Sequence, residues 1–79
     1  MPKFVRKPVV VSAVQWFPGK RVAGVRSAPK PGSPGERIAY VETIEGPLTV
    51  SPGDWIVTGV EGERYPCKPD IFKQLYDPV

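Results

Sequence analysis

The stretch Ser51-Pro52-Gly53-Asp54-Trp55-Ile56-Val57-Thr58-Gly59-Val60-Glu61-Gly62-Glu63-Arg64-Tyr65-Pro66-Cys67-Lys68 reads as turn, strand, turn, strand. Pro52-Gly53 suits the two central positions of a type II turn, where proline presets φ and glycine accepts a positive φ. Residues 55–60 are mostly aromatic and β-branched, the types that pack well on a pleated surface. Glu61-Gly62 separates them from a second run at residues 63–68, and a β-hairpin follows from that order. The same pattern occurs upstream. Residues 37–44 and 48–51 flank Glu45-Gly46-Pro47, with Ile38, Tyr40, Ile44, Leu48 and Val50 available to a core. Two successive hairpins make a meander.

Working outward, residues 7–17 are rich in valine and apolar on both faces, so they predict a central strand covered on both sides. Four Pro-Gly pairs, at 18–19, 31–32, 34–35 and 52–53, each suit a type II turn. Eleven prolines argue against long helices. Residues 18–36 shift to Pro, Gly, Ser, Lys and Arg and predict one long basic loop, the kind of segment that is usually functional or disordered. After Pro69 the period changes. Ile71, Phe72, Leu75 and Tyr76 recur at helical spacing, with Asp70 placed to cap the helix and Pro78 to stop it. The expectation is a single domain over residues 1–79: mainly β, a small five-stranded antiparallel barrel or curled sheet with a short C-terminal helix.

A chain of 79 residues buries only about 60% of its unfolded surface, which allows one core and no more. With 41% hydrophobic and 24% charged residues it is too apolar for a disordered tail. One cysteine, Cys67, excludes an internal disulfide, and the lack of histidine excludes a Cys/His zinc site. Nothing implies a cofactor. A core of this size contributes only about 3 to 5 kcal/mol unless a second subunit covers it, so a homo-oligomer is expected. The apolar run at residues 9–17 is broken by Ser12 and Gln15 and is far short of the roughly 20 residues that span a bilayer. A soluble protein without a membrane partner is the reading.

Charge is divided along the chain. Residues 1–37 hold eight basic groups (Lys3, Arg6, Lys7, Lys20, Arg21, Arg26, Lys30, Arg37) against Glu36, a balance of +7. Residues 38–79 hold three basic groups against seven acids, a balance of −4. Such polarity either draws an anionic partner to the first half or lets the two halves attract each other.

Residues 43–76, Thr-Ile-Glu-Gly-Pro-Leu-Thr-Val-Ser-Pro-Gly-Asp-Trp-Ile-Val-Thr-Gly-Val-Glu-Gly-Glu-Arg-Tyr-Pro-Cys-Lys-Pro-Asp-Ile-Phe-Lys-Gln-Leu-Tyr, resemble a family of small proteins from tailed phages and prophages. Its hallmark is a Pro-Gly-Asp-Trp-Ile core followed by Gly-Val-x-Gly-Glu-x-Tyr-Pro-Cys-Lys-Pro-Asp-Ile-Phe. The opening Arg6-Lys7-Pro8-Val9-Val10-Val11 with Gln15-Trp16 is similar to the family's first strand. The departure is at residues 18–36, where relatives often carry an acidic helix-forming segment and this chain is basic. The resemblance implies a phage origin and expression in the host cytoplasm, and it brings no functional residues to carry over.

The residues set out as a possible binding surface are Arg21, Arg26, Lys30, Arg37, Asp54 and Lys68. The four basic groups of the first half suit phosphates, and Asp54 follows a tight turn, where its commoner role is to accept turn amides. Lys68 stands beside Cys67, and an adjacent ammonium can lower a thiol's pKa, although no histidine is present to act as base. Glu61, Glu63 and Asp70 form no acid and base pair with a visible partner. The leading expectation is therefore a non-enzymatic phage accessory protein that binds a host protein or a small metabolite. The alternative is a basic nucleic-acid-binding β module.

Overall fold

The computed structural model describes residues 2–4 and 9–78. Arg6, Lys7 and the start of the first expected strand lie outside the described residues. Six strands and one helix follow in order: β1 (Ser12–Gln15), β2 (Val25–Lys30), β3 (Ser33–Thr43), β4 (Gly46–Val50), β5 (Trp55–Thr58), β6 (Arg64–Cys67) and α1 (Pro69–Leu75). They form two antiparallel three-stranded sheets, A in the order β1-β5-β6 and B in the order β2-β3-β4. The mainly β class with a terminal helix is as expected. No barrel closes: the two sheets are not hydrogen-bonded to each other, and they stack instead.

Sheet A is the middle layer. Residues paired across strands share a face, so Val14, Ile56 and Pro66 point one way while Ala13, Val57 and Tyr65 point the other. Ile56 meets Val41 and Val50 of sheet B in the buried cluster, with Trp16, Val22, Val25 and Ala39 packed around it. On the opposite face α1 covers the sheet. Trp55 stacks on Phe72 with ring centroids 4.4 Å apart and planes 6° from parallel, and Phe72 meets Tyr76 at 5.0 Å. Trp55 is thus a structural anchor for the helix, each ring burying apolar surface and aligned in a favourable aromatic pair.

The turns explain the register. Thr43 pairs with Gly46 across Ile44 and Glu45; the Thr43 hydroxyl accepts from the Glu45 amide at 3.1 Å and donates to the Gly46 carbonyl at 2.7 Å. Gly46 takes φ 111°, the left-handed residue that a bulged hairpin needs. This turn places Ile44 at the tip, 92% exposed, against its expected place in the core. The inner face of β3 also differs from expectation: Val41 and Ala39 face the core, opposite Leu48 and Val50, and Ile38 and Tyr40 lie half-buried on the outer face. Both faces of residues 38–41 are apolar, so alternation alone did not choose between them.

Two further expectations are corrected. The described part of the expected central strand, residues 9–17, does not lie at a sheet centre: β1 is four residues long and lies at the edge of sheet A, because β5 has β6 on its other side. Asp70 does not cap α1. The N-cap residue is Lys68, whose side chain makes no cap bond, and Pro69 and Asp70 occupy the first turn. Proline there needs no amide partner, and the Asp70 charge favours the positive helix end.

The largest correction concerns residues 18–36. They are not one loop. Residues 25–36 belong to a hairpin, β2 and β3, which turns at Pro31-Gly32 with Gly32 at φ 77°. Pro34-Gly35 is no turn at all, since it lies within β3 and Gly35 has no positive φ. Beyond Val25 and Ala39 this hairpin leaves the body as an arm whose residues are mostly exposed on both faces. The molecule measures 53 × 26 × 22 Å. Its radius of gyration, 14.8 Å, exceeds the roughly 12 Å of a compact chain this long.

Candidate anion-binding cleft

Between β1 and the arm, the chain makes two tight turns. The Lys20 amide donates to the Phe17 carbonyl at 3.0 Å across Pro18-Gly19, and the Val25 amide to the Val22 carbonyl at 3.1 Å across Ala23-Gly24. Both glycines have positive φ, 87° and 89°. Gly24 has a second reason to lack a side chain: a Cβ there would run into the Arg64 side chain, which lies across the turn from β6. The Arg64 side chain thus runs past the backbone of this turn.

The loop and the base of the arm enclose an open cleft of about 760 Å3, lined by Trp16, Lys20, Arg21, Arg26, Ser27 and Arg37, with Val22, Val25 and Ala39 at its apolar side. Trp16 sits at a fixed position, since its amide donates to the Asp54 carbonyl and its carbonyl accepts from the Gly53 amide, both at 2.8 Å. The Arg37 guanidinium donates to the Ser27 hydroxyl at 2.8 Å and to the Ser27 carbonyl at 3.2 Å. That orients the fork across the two strands of the arm. No carboxylate lines the cleft. The ion pairs among the described residues are Lys30 with Glu36 at 3.4 Å and Lys68 with Asp54 at 3.1 Å, and neither draws on the cleft cations.

The six proposed surface residues therefore separate. Arg21 and Arg37 line the cleft together, Arg26 borders it but belongs by its pairing with Tyr40 to the other face of the hairpin, and Lys30 lies farther out on the arm, engaged by Glu36. Asp54 and Lys68 lie apart from the cleft, at the start of β5 and of α1. Asp54 is 2% exposed, accepts from the Ser51 amide at 2.9 Å and pairs with Lys68. The turn-amide role expected for Asp54 is the observed one. Lys20 and Trp16 were missed as site residues, Lys20 because it was counted only in the basic balance of residues 1–37 and Trp16 because the core explained it.

Lys68 does not activate Cys67. Its ammonium is turned to Asp54, and the thiol pKa is pushed up by burial first, then by the Asp54 and Asp70 charges. The Cys67 thiol points at the Lys68 carbonyl, 3.7 Å away. A protonated thiol in this setting is a weak nucleophile. Among the described residues no three Cys, Asp or Glu side chains gather as metal ligands. No helix among them is long and apolar enough to cross a membrane.

No family model, curated protein or solved structure matches this chain.

Proposed function

We propose that this chain is a non-enzymatic binding protein whose cleft holds a small phosphate-bearing molecule. The carrying observation is the lining: Lys20, Arg21 and Arg37 meet Trp16 at one recess that contains no carboxylate, with Arg26 at the base of the arm beside it. Cations gathered in a concave site focus the local potential and concentrate anions. Guanidinium forks match the spacing of phosphate oxygens and bind them in pairs, and the indole supplies a flat apolar wall for the rest of the ligand. The cleft volume lies within the roughly 300 to 1,000 Å3 usual for small-molecule sites. The phage resemblance supports a ligand drawn from the infected bacterial cell. A second reading, nucleic acid, has one observation in its favour: Arg26 and Lys30 both stand exposed on β2, outward from the cleft.

The test is a titration of tryptophan fluorescence with pyrophosphate, ADP and a short oligo-dT at low and moderate salt. Saturable binding of pyrophosphate or ADP, weakened about tenfold or more by Arg21→Ala or Arg37→Ala, is expected from loss of one charged hydrogen-bonded contact. An oligonucleotide that binds far more tightly than either, with affinity falling steeply in salt, establishes the second reading. Failure of all three overturns both and leaves a host protein as the partner to seek by pull-down.

A further inference from the structure

The two sheets have four edge strands, and three are guarded. β2 carries Arg26, Pro29 and Lys30, β4 carries Pro47, and β6 carries Arg64 and Pro66. Charges and prolines on an edge block the addition of a further strand. β1 has neither. From Val9 through Gln15 the chain, Val-Val-Val-Ser-Ala-Val-Gln, holds no charge, no proline and no glycine. One side of β1 pairs with β5, and the backbone groups on its other side meet no partner among the described residues.

The side chains are equally uncovered. Val9 is 54% exposed, Val10 74% and Val14 44%. Val14 shares the inner face of sheet A with Ile56, yet sheet B approaches sheet A through β6 and leaves the β1 end of that face open. On the opposite face, Val9, Val10, Val11 and Ala13 form one wall of a groove of about 900 Å3 against α1.

We propose that β1 is a homodimer seam, in which a second copy lays its own β1 antiparallel along the first about a twofold axis. The two sheets A then join as one six-stranded sheet. The occupant is a second copy because the run is complementary to itself. Antiparallel self-pairing sets β-branched residues beside β-branched residues, with no like charges opposed, and an isologous contact uses the same patch on both partners. Closure supports the same choice. An uncharged edge strand left open, with an uncharged valine run leading into it, invites unlimited stacking, whereas twofold pairing consumes the unguarded edge of each sheet A, since Arg64 and Pro66 protect the other. The assembly stops at two. None of this depends on what the cleft binds.

The test is light scattering with size exclusion, together with hydrogen exchange, on the full chain. A particle of twice the 8.7 kDa chain mass is expected. Val10→Lys with Val14→Lys should return a monomer of native-like circular dichroism, and Leu75→Lys, on the exposed side of α1, should stay dimeric. Amides of residues 10–15 should exchange slowly at about 100 µM and quickly at about 1 µM, as mass action requires for a dimer. This exchange result decides the matter even if the double variant fails to fold. A wild-type monomer at about 100 µM, a dimer that survives the double substitution, or open-ended larger particles would each overturn the proposal.

Discussion

The Lys68 ammonium lies 3.1 and 3.3 Å from the two carboxylate oxygens of Asp54, a side chain 2% exposed at the head of β5. The pair ties the 51–54 turn to the start of α1, 14 residues on. Lys68 is half in solvent, so its charge is well hydrated without Asp54, while Asp54 has nowhere to turn. Removing the lysine therefore strands a buried carboxylate, a costlier change than removing the acid. Discounted for water reaching the half-exposed site, Lys68→Met should destabilise by about 2 kcal/mol in the native background and by less than about 1 kcal/mol beside Asp54→Asn. Urea unfolding of the four proteins measures this cycle, and equal costs in both backgrounds would show the pair to be uncoupled.

Cys67 should react sluggishly. Burial and the neighbouring Asp54 and Asp70 charges all favour the protonated thiol. Alkylation by iodoacetamide near neutral pH should run several-fold slower than for an unhindered cysteine and recover in denaturant, because the thiolate is the reacting species. Labelling faster than the free amino acid would contradict this account.

Tyr65 and Tyr76 share a hydrogen bond of 2.9 Å between their hydroxyls, joining β6 to α1. That bond, followed by burial, pushes the Tyr65 pKa up to about 12. The folded state holds the phenol proton more tightly than the unfolded chain, whose tyrosines titrate near 10. The stabilisation is thus complete below about pH 10 and is lost as pH rises toward 12. Phenolate absorbance should show a late-titrating tyrosine that moves down in Tyr76→Phe. An unchanged titration in that variant would remove the hydrogen bond as the cause.

The parts of the fold legible in the sequence are those whose burial is one-sided or whose turns demand particular residues. Pro52-Gly53 turned the chain as read, Trp55 opened a strand, and Ile71, Phe72 and Leu75 marked a helix that ends before Tyr76. The arm was not legible because both its faces meet water. Arg26-Ser27-Ala28-Pro29-Lys30 has no apolar alternation to reveal a strand, and its structure comes from backbone pairing with β3. Misreading it as loop hid the cleft too. Arg21, Arg26 and Arg37 were visible as charges, but only the hairpin register sets Pro29 opposite Arg37 and swings that guanidinium back toward the loop. For residues 9–14 the error ran the other way, since valines exposed at an edge read the same as valines buried in a sheet centre.

The arm is also a lever. From Val25, packed on the core, to the tip at Pro31-Gly32 runs a two-stranded ribbon about 20 Å long at the usual rise per residue. A tilt of about 10° at its base displaces the tip by about 3 Å, on that same length. Arg26 and Arg37 ride near the fulcrum, while Lys20 and Arg21 stand on the loop that Arg64 runs past. Small bending at Val25 and Ala39 would therefore sweep the tip while leaving the cations at the root nearly in place, so the reach of the arm can vary without rebuilding the cleft.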